Sequence, residues 1–586
     1  MIKTCSILKK TGICLIIFIS HFSAMAQDSE LYSHTTPIEP YITQYNSDLR
    51  AINTFYGPIS WGYDRTTESP EQLNRLLEID KSYQDKLSGI PFNKLNTNAQ
   101  VDFILLKRKI KQHAENIKET QLAYDRIKAQ IPFAEAIFNF EKKRRRGSKV
   151  NAEDLAKELS QASKQVNNIV KQLNEKFTIA VEDAPFLKSV LQSLKKRLTN
   201  SYQFYNEYDP QFTWWVPSSY KELDEGIAKY IEVIEEKGKK KVYEDGSNIF
   251  GTPIGKAKLN ELLHEEMISY SADELLKLAE KEFAWCEKEL LKASNEMGFG
   301  NDWKAAQEKV KNSYVPIGDQ PELIVKLYND AQEFIRKNNL MDIPALADET
   351  WGMRMMTAEQ QLVNPFFLGG REIIISYPTL GMTQEQKMMS MRGNNPYFSR
   401  GTVQHELTPG HHLQYFMNQR YKPYREEAFN TPFWTEGWTL YWELLLYDQG
   451  FAKSPEERIG MLFWRMHRCA RITFSIKFHI GEWTPMQCVD YLVDRVGFER
   501  ANAHGEIKRS FEGGYGPLYQ LAYLVGGLQL MSIKHEIVDS GKMNYKQFHD
   551  RVIKENYMPM EMLRAILLDK KLSPDYETSW KFYQFN

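Results

Sequence analysis

Apolar residues recur three and four positions apart over most of this sequence, and this period constrains the fold more than any other feature. Leu73 and Leu76 show it within residues 70–125, and the same spacing runs through 152–200 and 221–237. Residues three and four apart lie on one face of an α-helix, so each segment predicts a helix with one buried face. The sequence therefore predicts a mainly α protein.

One segment departs from the helical period. Residues 371–377 are short, rich in β-branched side chains and bounded by Gly369-Gly370 and Pro378, which predicts a strand. The segment precedes the histidines at 405–412. It is either a strand to which a peptide could pair as an added strand, or an ordinary buried strand.

The N-terminus predicts a signal peptide. Lysines precede an apolar run at 13–19, and Ala24-Met25-Ala26 is a small-x-small cleavage site, so residues 1–26 are expected to be removed. The run is short for a membrane span, and Cys14 lacks the small residues that precede a lipidated cysteine. We expect export to the periplasm or the medium without a stable membrane anchor; an uncleaved anchor is the alternative.

Turn residues cluster at 242–257 and interrupt the helical period. This break predicts an N-terminal helical region over 27–245 and a second region over 246–586, which contains the histidines. The chain carries 75 Lys and Arg against 76 Asp and Glu. That balance argues against nucleic acid as a partner.

Three cysteines follow the predicted signal peptide: Cys286, Cys469 and Cys488. An odd, sparse set is not a disulfide framework, and at most one bridge could form. No cysteine stands at the spacing of a zinc site. Any metal must therefore be held by histidine and carboxylate.

The most informative stretch runs from His405-Glu406 through Pro409-Gly410 to His411-His412. Zinc peptidases carry two histidines four apart on a helix, with a glutamate after the first, so that both imidazoles reach one ion. In a straight helix His411 would be rotated by about 240° from His405. His412 would lie about 10.5 Å along the axis, too far for two bonds of about 2.1 Å to one ion.

Pro409 and Gly410 can remove this mismatch. Proline breaks the helical hydrogen bonding, and glycine tolerates unusual dihedral angles. If these two residues loop out, His411 takes the place of the second ligand and His412 points elsewhere. We predict His405 and His411 as metal ligands, and His412 as a residue that supports the ligands or faces the substrate.

Downstream carboxylates complete the predicted site. A catalytic zinc ion needs a third protein ligand and an open position for water, and Glu436, in an aromatic helical segment, is the next carboxylate in a suitable context. Glu443 lies two turns further along the same face. It could orient a ligand histidine, or it could be a solvated or intrahelical carboxylate.

The string His-Glu-x-x-Pro-Gly-His-His-x-Gln, followed by Glu-Gly-Trp-x-Leu-Tyr-x-Glu, resembles the bacterial domain-of-unknown-function 885 family, which is grouped with the gluzincin-type metallopeptidases. The resemblance implies a mainly helical peptidase with a small β-sheet beside the active-site helices, one zinc ion and peptide hydrolysis. By motif position it implies that His405, His411 and Glu436 are the ligands and Glu406 is the general base. Region 246–586 would then be the catalytic region.

A hydroxyl donor near the C-terminus would hold the oxyanion of such a reaction. Tyr523 is the first candidate, with core packing as its alternative role, and Tyr515 and Tyr519 come next. In this stretch Pro517-Leu518-Tyr519 stands where the family pattern has Pro-Gly-Gln.

The expected function is hydrolysis of short peptides by an exported zinc enzyme. A zinc hydrolase of a non-peptide amide and a non-catalytic exported binding protein are the alternatives. The sequence leaves open whether the enzyme trims ends or cuts internally, and its oligomeric state.

Overall fold

The computed structural model describes residues 34–57, 67–238 and 243–585, apart from Pro365, Tyr377 and Gly513. It is mainly helical, with 69% helix and 2% strand, as the apolar period predicts. The chain forms two compact units. The N-terminal unit contains residues 40–91 and 106–242, and the C-terminal unit contains the remaining ranges, including 92–105.

The first eight helices supply the N-terminal unit, and α3 contributes residues to both units. They are α1 Glu39–Tyr56, α2 Pro70–Ser88, α3 Thr97–Ile127, α4 Ala134–Arg145, α5 Ala152–Glu175, α6 Ala184–Tyr205, α7 Pro210–Trp215 and α8 Pro217–Lys237.

Helix α5 shows why these segments are helical. Asn151 caps its first turn by accepting hydrogen bonds from two backbone N–H groups, and Leu155, Leu159 and Val166 bury one stripe of its surface. The core of this unit is built from such stripes.

The C-terminal unit follows α8 after a helix-free stretch over 243–255. Its helices before the histidines are α9 Lys256–Glu265, α10 Ala272–Glu296, α11 Trp303–Lys311, α12 Gln320–Lys337, α13 Ala345–Glu349, α14 Ala358–Val363 and α15 Gln384–Gly393. Those from the histidines onward are α16 Pro396–Glu406, α17 His411–Asn418, α18 Pro423–Phe429, α19 Pro432–Asp448, α20 Pro455–His479, α21 Pro485–Tyr491, α22 Arg500–Glu512, α23 Tyr519–Ile537, α24 Tyr545–Ile553 and α25 Met560–Leu567.

Two parallel strands form the sheet of the described chain: β1 Gly352–Met355 and β2 Glu372–Ile375, with Gly352 opposite Glu372. Strand β2 lies inside the predicted segment 371–377, of which Tyr377 is outside the described residues. The sequence did not predict β1, because Gly-Met-Arg-Met has no β-branched residue.

Helices α19 and α23 pack backbone to backbone. A Cβ on Gly437 would lie 2.8 Å from Cα of Gly526, and a Cβ on Gly526 would lie 2.4 Å from the carbonyl oxygen of Phe433. Glycine at both positions permits this approach, since any side chain would separate the helices. The pair is almost wholly buried and forms the centre of the C-terminal unit.

A buried charge cluster explains why residues 92–105 group with the C-terminal unit. The Arg425 side chain donates from Nε to Asp102 at 2.8 Å and from Nη1 to Oε2 of Glu555 at 2.9 Å. Arg425 and Asp102 are fully buried. Breaking such a pair would leave an uncompensated buried charge, so the cluster holds α3 to the helices around it.

The structure bears on four features of the sequence: the signal peptide, membrane-spanning segments, the cysteines and a helix start. The predicted signal peptide, residues 1–26, lies outside the described residues. Among the described helices, none is long and apolar enough to cross a membrane. Cys286, Cys469 and Cys488 are buried and unbridged. Ser271 and Glu274 form a capping box, and the helix that they begin runs to Glu296.

Candidate metal centre

The helix that begins at Pro396 is interrupted where Pro409 and Gly410 predict a break. Helix α16 ends at Glu406 and α17 begins at His411, so the interruption spans four residues, Leu407–Gly410. The N–H of Gly410 donates to the carbonyl of Gln404 at 3.0 Å. A Cβ on Gly410 would lie 1.9 Å from the carbonyl oxygen of His405, so this close return of the chain requires glycine.

The interruption brings His411 next to His405. Their ring centroids are 5.0 Å apart. Oε2 of Glu436, on α19, lies 3.6 Å from Nε2 of His405 and 3.4 Å from Nε2 of His411. Atoms placed tetrahedrally at about 2.1 Å from one centre are about 3.4 Å apart. Both distances from Glu436 therefore match the spacing of ligands around one zinc-sized ion, and the candidate ligand atoms of all three residues lie within 4.8 Å of one another.

The electrostatics at this point favour a cation. Oε2 of Glu436 is buried and has no hydrogen-bond donor among the described residues. Burial disfavours the charged imidazole of His405, but Glu436 and Glu443 outweigh it and raise the pKa of His405 to about 9. Burial would likewise raise the pKa of Glu436, but His411 and His405 hold it well below its usual range. The residues fit a metal ion, which would take the place of a proton.

Two further side chains fix the ligands. Nδ1 of His405 lies 2.6 Å from Oε1 of Glu443, which also accepts a hydrogen bond from Arg468 at 3.1 Å. The hydroxyl of Tyr519 donates to Oε1 of Glu436 at 2.5 Å, leaving Oε2 for the histidines. Such contacts orient metal ligands in known sites. Glu443 contacts His405 and is not solvated, because its side chain is only 6% exposed.

The carboxylate of Glu406 lies beside the candidate ligands. Glu406 lines a cavity that His405, His411 and Glu436 also border. Burial raises the pKa of Glu406, although His405 and His411 oppose the shift. The backbone of Gly369 passes directly over it: a Cβ there would lie 2.2 Å from Oε2 of Glu406 and 2.9 Å from Cδ2 of His411. The segment before β2 therefore forms one wall against the glutamate and the second histidine.

His412 points away from the three ligand atoms. Its Nε2 lies 2.9 Å from the carbonyl oxygen of Ala347, and its Nδ1 lies 3.2 Å from that of Arg371. It is buried and is not among the residues that line the cavity. It ties α17 to the segment that leads into β2.

All three candidate tyrosines line the cavity, in different settings. The ring of Tyr523 is buried and nearly parallel to that of His405, with 6.2 Å between centroids. Burial raises the pKa of Tyr523, so its hydroxyl remains a donor. Tyr519 is engaged with Glu436, and Tyr515 packs on Tyr519 at 4.3 Å.

The cavity measures about 390 Å³. The metal centre forms one side, and the segment from Phe366 to Gly370 with Ile374 of β2 forms another. The sequence did not predict a third side, which carries Arg468, Arg471 and Arg509. Two of these arginines lie one turn apart on the largely buried helix α20, and charged residues on such a helix were the signal that could have revealed them.

The C-terminal unit is thus mainly helical and holds a His-His-Glu cluster that borders a cavity. The chain belongs to the family described as "Bacterial protein of unknown function (DUF885)", whose model matches residues 54–567. This match confirms the predicted family. No curated protein matches the chain.

Two solved structures share the fold. One is described as a "putative lipoprotein of unknown function" from Shewanella oneidensis, with a TM-score of 0.66 and 15% identity over 91% of this chain and 100% of that chain. The other is described as a "putative lipoprotein" from Colwellia psychrerythraea, with a TM-score of 0.55 and 16% identity over 90% and 97% of the two chains. At these identities the likeness shows the fold alone.

Proposed function

We propose that this chain is an exported zinc-dependent peptidase with a gluzincin-like catalytic core that hydrolyses short peptides. One observation carries the proposal. Two imidazole nitrogens and a carboxylate oxygen that lacks any hydrogen-bond donor among the described residues converge at 3.4 and 3.6 Å beside Glu406, inside a cavity. A purely structural cluster has no need for a buried oxygen without a donor.

The ligands would be His405, His411 and Glu436, holding one zinc ion. Zinc bound there would supply acidification of a water molecule and polarisation of the substrate carbonyl. Three protein ligands leave a position open for that water, as in known catalytic sites.

The other residues would move and hold charge. In hydrolysis the water oxygen bonds to the carbonyl carbon, the C–N bond breaks, and the released amine gains a proton. Glu406 would accept the proton of the water and pass it to that amine, and burial makes its carboxylate a stronger base. Tyr523 would donate its hydroxyl to the carbonyl oxygen as negative charge develops there.

The cavity size supports a short substrate. A volume of about 390 Å³ is at the low end of the range for small-molecule sites and accommodates a few residues of a peptide. The small sheet beside the cavity is in position to contact an extended peptide backbone, because the segment before β2 forms one of its walls.

Export is part of the same proposal. The N-terminal basic, apolar and small-x-small pattern supports it, and the two solved relatives are described as lipoproteins, a class of exported protein. For this chain we propose a cleaved signal peptide and no lipid anchor, because Cys14 stands inside the apolar run.

The test is digestion of a mixed synthetic peptide library by the mature protein, with its zinc content measured by mass spectrometry. We expect one zinc ion per chain and cleavage that stops with chelator and returns with added zinc. A protein that holds zinc but cleaves no peptide would favour the hydrolase of a non-peptide amide. A protein with neither zinc nor cleavage would favour the binding protein.

A further inference from the structure

Three arginines form a wall of the cavity, which we call the arginine wall: Arg468 and Arg471 on α20 and Arg509 on α22. Arg468 and Arg471 are 4% and 3% exposed. Arginine is seldom this buried without a partner, because a charge removed from water must be compensated. The partners of the wall therefore indicate what else the cavity is built to receive.

The described carboxylates in direct contact with the arginine wall are fewer than its guanidinium groups. Arg468 donates to Glu443 at 3.1 Å. Arg471 donates from Nε to Glu506 at 2.7 Å, and Arg509 pairs with the same glutamate at 3.2 Å. Three guanidinium groups thus share two carboxylates.

Both carboxylates also have other contacts. Glu443 contacts His405 of the metal centre, and Glu506 lies 3.2 Å from Nε2 of His467. Glu406 and Glu436 also line the cavity, but among the described residues neither forms an ion pair with the wall.

Some hydrogen-bond donors of the arginine wall have no acceptor within the described part of the chain, which also indicates that the wall receives an anion. Nη1 of Arg471 and Nε of Arg468 are buried and have no hydrogen-bond acceptor among the described residues. The guanidinium carbons of Arg471 and Arg468 lie 4.3 and 4.8 Å from the ring centroid of Tyr523. A ring face attracts a cation but supplies neither a full negative charge nor an acceptor oxygen. An anion in the cavity would supply both.

The ring of Tyr523 also fixes how far the wall is from the metal centre. It lies 6.2 Å from the ring of His405 and 4.3 Å from the guanidinium carbon of Arg471. An extended peptide advances about 3.3 Å per residue, so a group held by Arg471 is about one to three residues from the histidines. An anion held by the wall would therefore be within reach of one end of a short peptide whose other part lies at the histidines.

We propose that the arginine wall, with Arg471 as its central residue, binds the free C-terminal carboxylate of the peptide, so that the protein removes one or two residues from the C-terminal end. This inference rests on the proposed peptidase function. Guanidinium groups pair with carboxylates through charge-assisted, often bidentate hydrogen bonds. A carboxylate one or two residues beyond the scissile bond defines a carboxypeptidase or a dipeptidyl carboxypeptidase.

The first experiment compares two forms of one mixed peptide library, with free C-terminal acids and with C-terminal amides, digested by the zinc-loaded wild-type protein. We expect loss of one or two C-terminal residues from the acids, and cleavage of the amides at least about 10-fold more slowly. Equal cleavage of both forms would overturn the inference and leave the peptidase proposal standing. Cleavage of amides beside Asp or Glu would assign the wall to an acidic side chain, which also overturns it.

Variants then test Arg471 itself. Arg471→Gln should raise KM for the acid library about 10- to 100-fold and should slow the cleavage of acids much more than the cleavage of amides. Arg458→Gln is the matched control, since it removes the same charge from a surface ion pair on the same helix. Equal loss on acids and amides in Arg471→Gln would mean a structural role only. If this variant fails to fold, the wild-type comparison still decides the inference.

A binding measurement separates this inference from the proposed function. Glu406→Gln protein is equilibrated with each library, and the retained peptides are identified by mass spectrometry. Preferential retention of acids supports the arginine wall even if the wild-type protein cleaves neither library, an outcome that would sink the peptidase proposal. Equal retention of both forms would overturn the inference.

Discussion

At the scale of single residues, the candidate site depends on which of two adjacent histidines faces the cavity. His411 begins α17 and lies 3.4 Å from Glu436, whereas His412 contacts the carbonyls of Ala347 and Arg371. Successive residues of a helix differ in direction by about 100°, so both cannot reach one ion. The position of Gly410 in the break decides between them.

Glu406→Gln should abolish turnover and keep zinc. Glutamine matches the shape of glutamate but cannot accept the proton of water, and loss of a general base typically slows a reaction about 10²- to 10⁴-fold. The measurement is peptide cleavage together with zinc content. Turnover at the wild-type rate would disprove the assigned role of Glu406.

His411→Ala should lose zinc, and His412→Ala should retain it. The first change removes a ligand, whereas the second removes a support between α17 and the segment before β2. His412→Ala should instead lower the thermal midpoint, by an amount that reflects about 1–3 kcal/mol for a buried carbonyl group left without its donor. Zinc content of the purified variants gives the answer, and the reverse pattern would show that the ligand assignment is mistaken.

At the scale of elements, the candidate metal site, His405, His411 and Glu436, is assembled where helices α16, α17, α19 and α23 meet. Glu436 lies next to Gly437, and Tyr519 begins the helix that carries Gly526. The hydrogen bond from Tyr519 to Glu436 therefore spans the same helix pair whose backbones touch at the two glycines. The spacing of this pair sets the position of a ligand oxygen.

Gly437→Ala should destabilise the C-terminal unit and weaken zinc binding together. Its Cβ would lie 2.8 Å from the backbone of Gly526, and overpacking of this kind costs about 1–3 kcal/mol. Thermal unfolding and zinc titration measure the two effects. Gly381→Ala is the control, because a Cβ there meets nothing within 4 Å. An unchanged unfolding midpoint in Gly437→Ala would refute the close packing.

At the scale of the whole molecule, three buried histidines of the C-terminal unit set a response to acid. Burial lowers the pKa of His467 and of His549 to about 3, and that of His479 to about 4. In the unfolded chain these groups bind protons below about pH 6.5. The free energy of unfolding that these neutral histidines contribute is fully present above that pH. It is lost as the pH falls towards 4, because the unfolded chain then binds protons that the folded chain does not.

The free energy of unfolding should therefore fall between pH 6.5 and pH 5, by up to about 1.4 kcal/mol per pH unit for each such histidine. Urea denaturation at a series of pH values measures this slope. His479→Gln should remove the contribution of one proton, and so reduce the slope by up to about 1.4 kcal/mol per pH unit. His264→Gln, at an exposed position, is the control. A flat profile in the wild-type protein would contradict the assignment of neutral buried histidines.

Local patterns predicted much of the fold and part of the candidate site. The apolar period predicted the helices, and Pro409-Gly410 predicted the interruption of a helix. Strand β1 and the grouping of residues 92–105 with the C-terminal unit were missed. Both depend on partners far away in the chain, about which a local pattern carries no information.

By itself, the sequence determined which residues are helical, where the helix between His405 and His411 breaks, and the family, because backbone rules and motif spacings act over a few residues. Only the tertiary structure decided that Oε2 of Glu436 meets both histidines, that Gly369 covers Glu406, and that Arg468, Arg471 and Arg509 share one cavity. These arrangements come from the packing of helices whose residues are distant in sequence. Burial and charge balance exist only once that packing has formed.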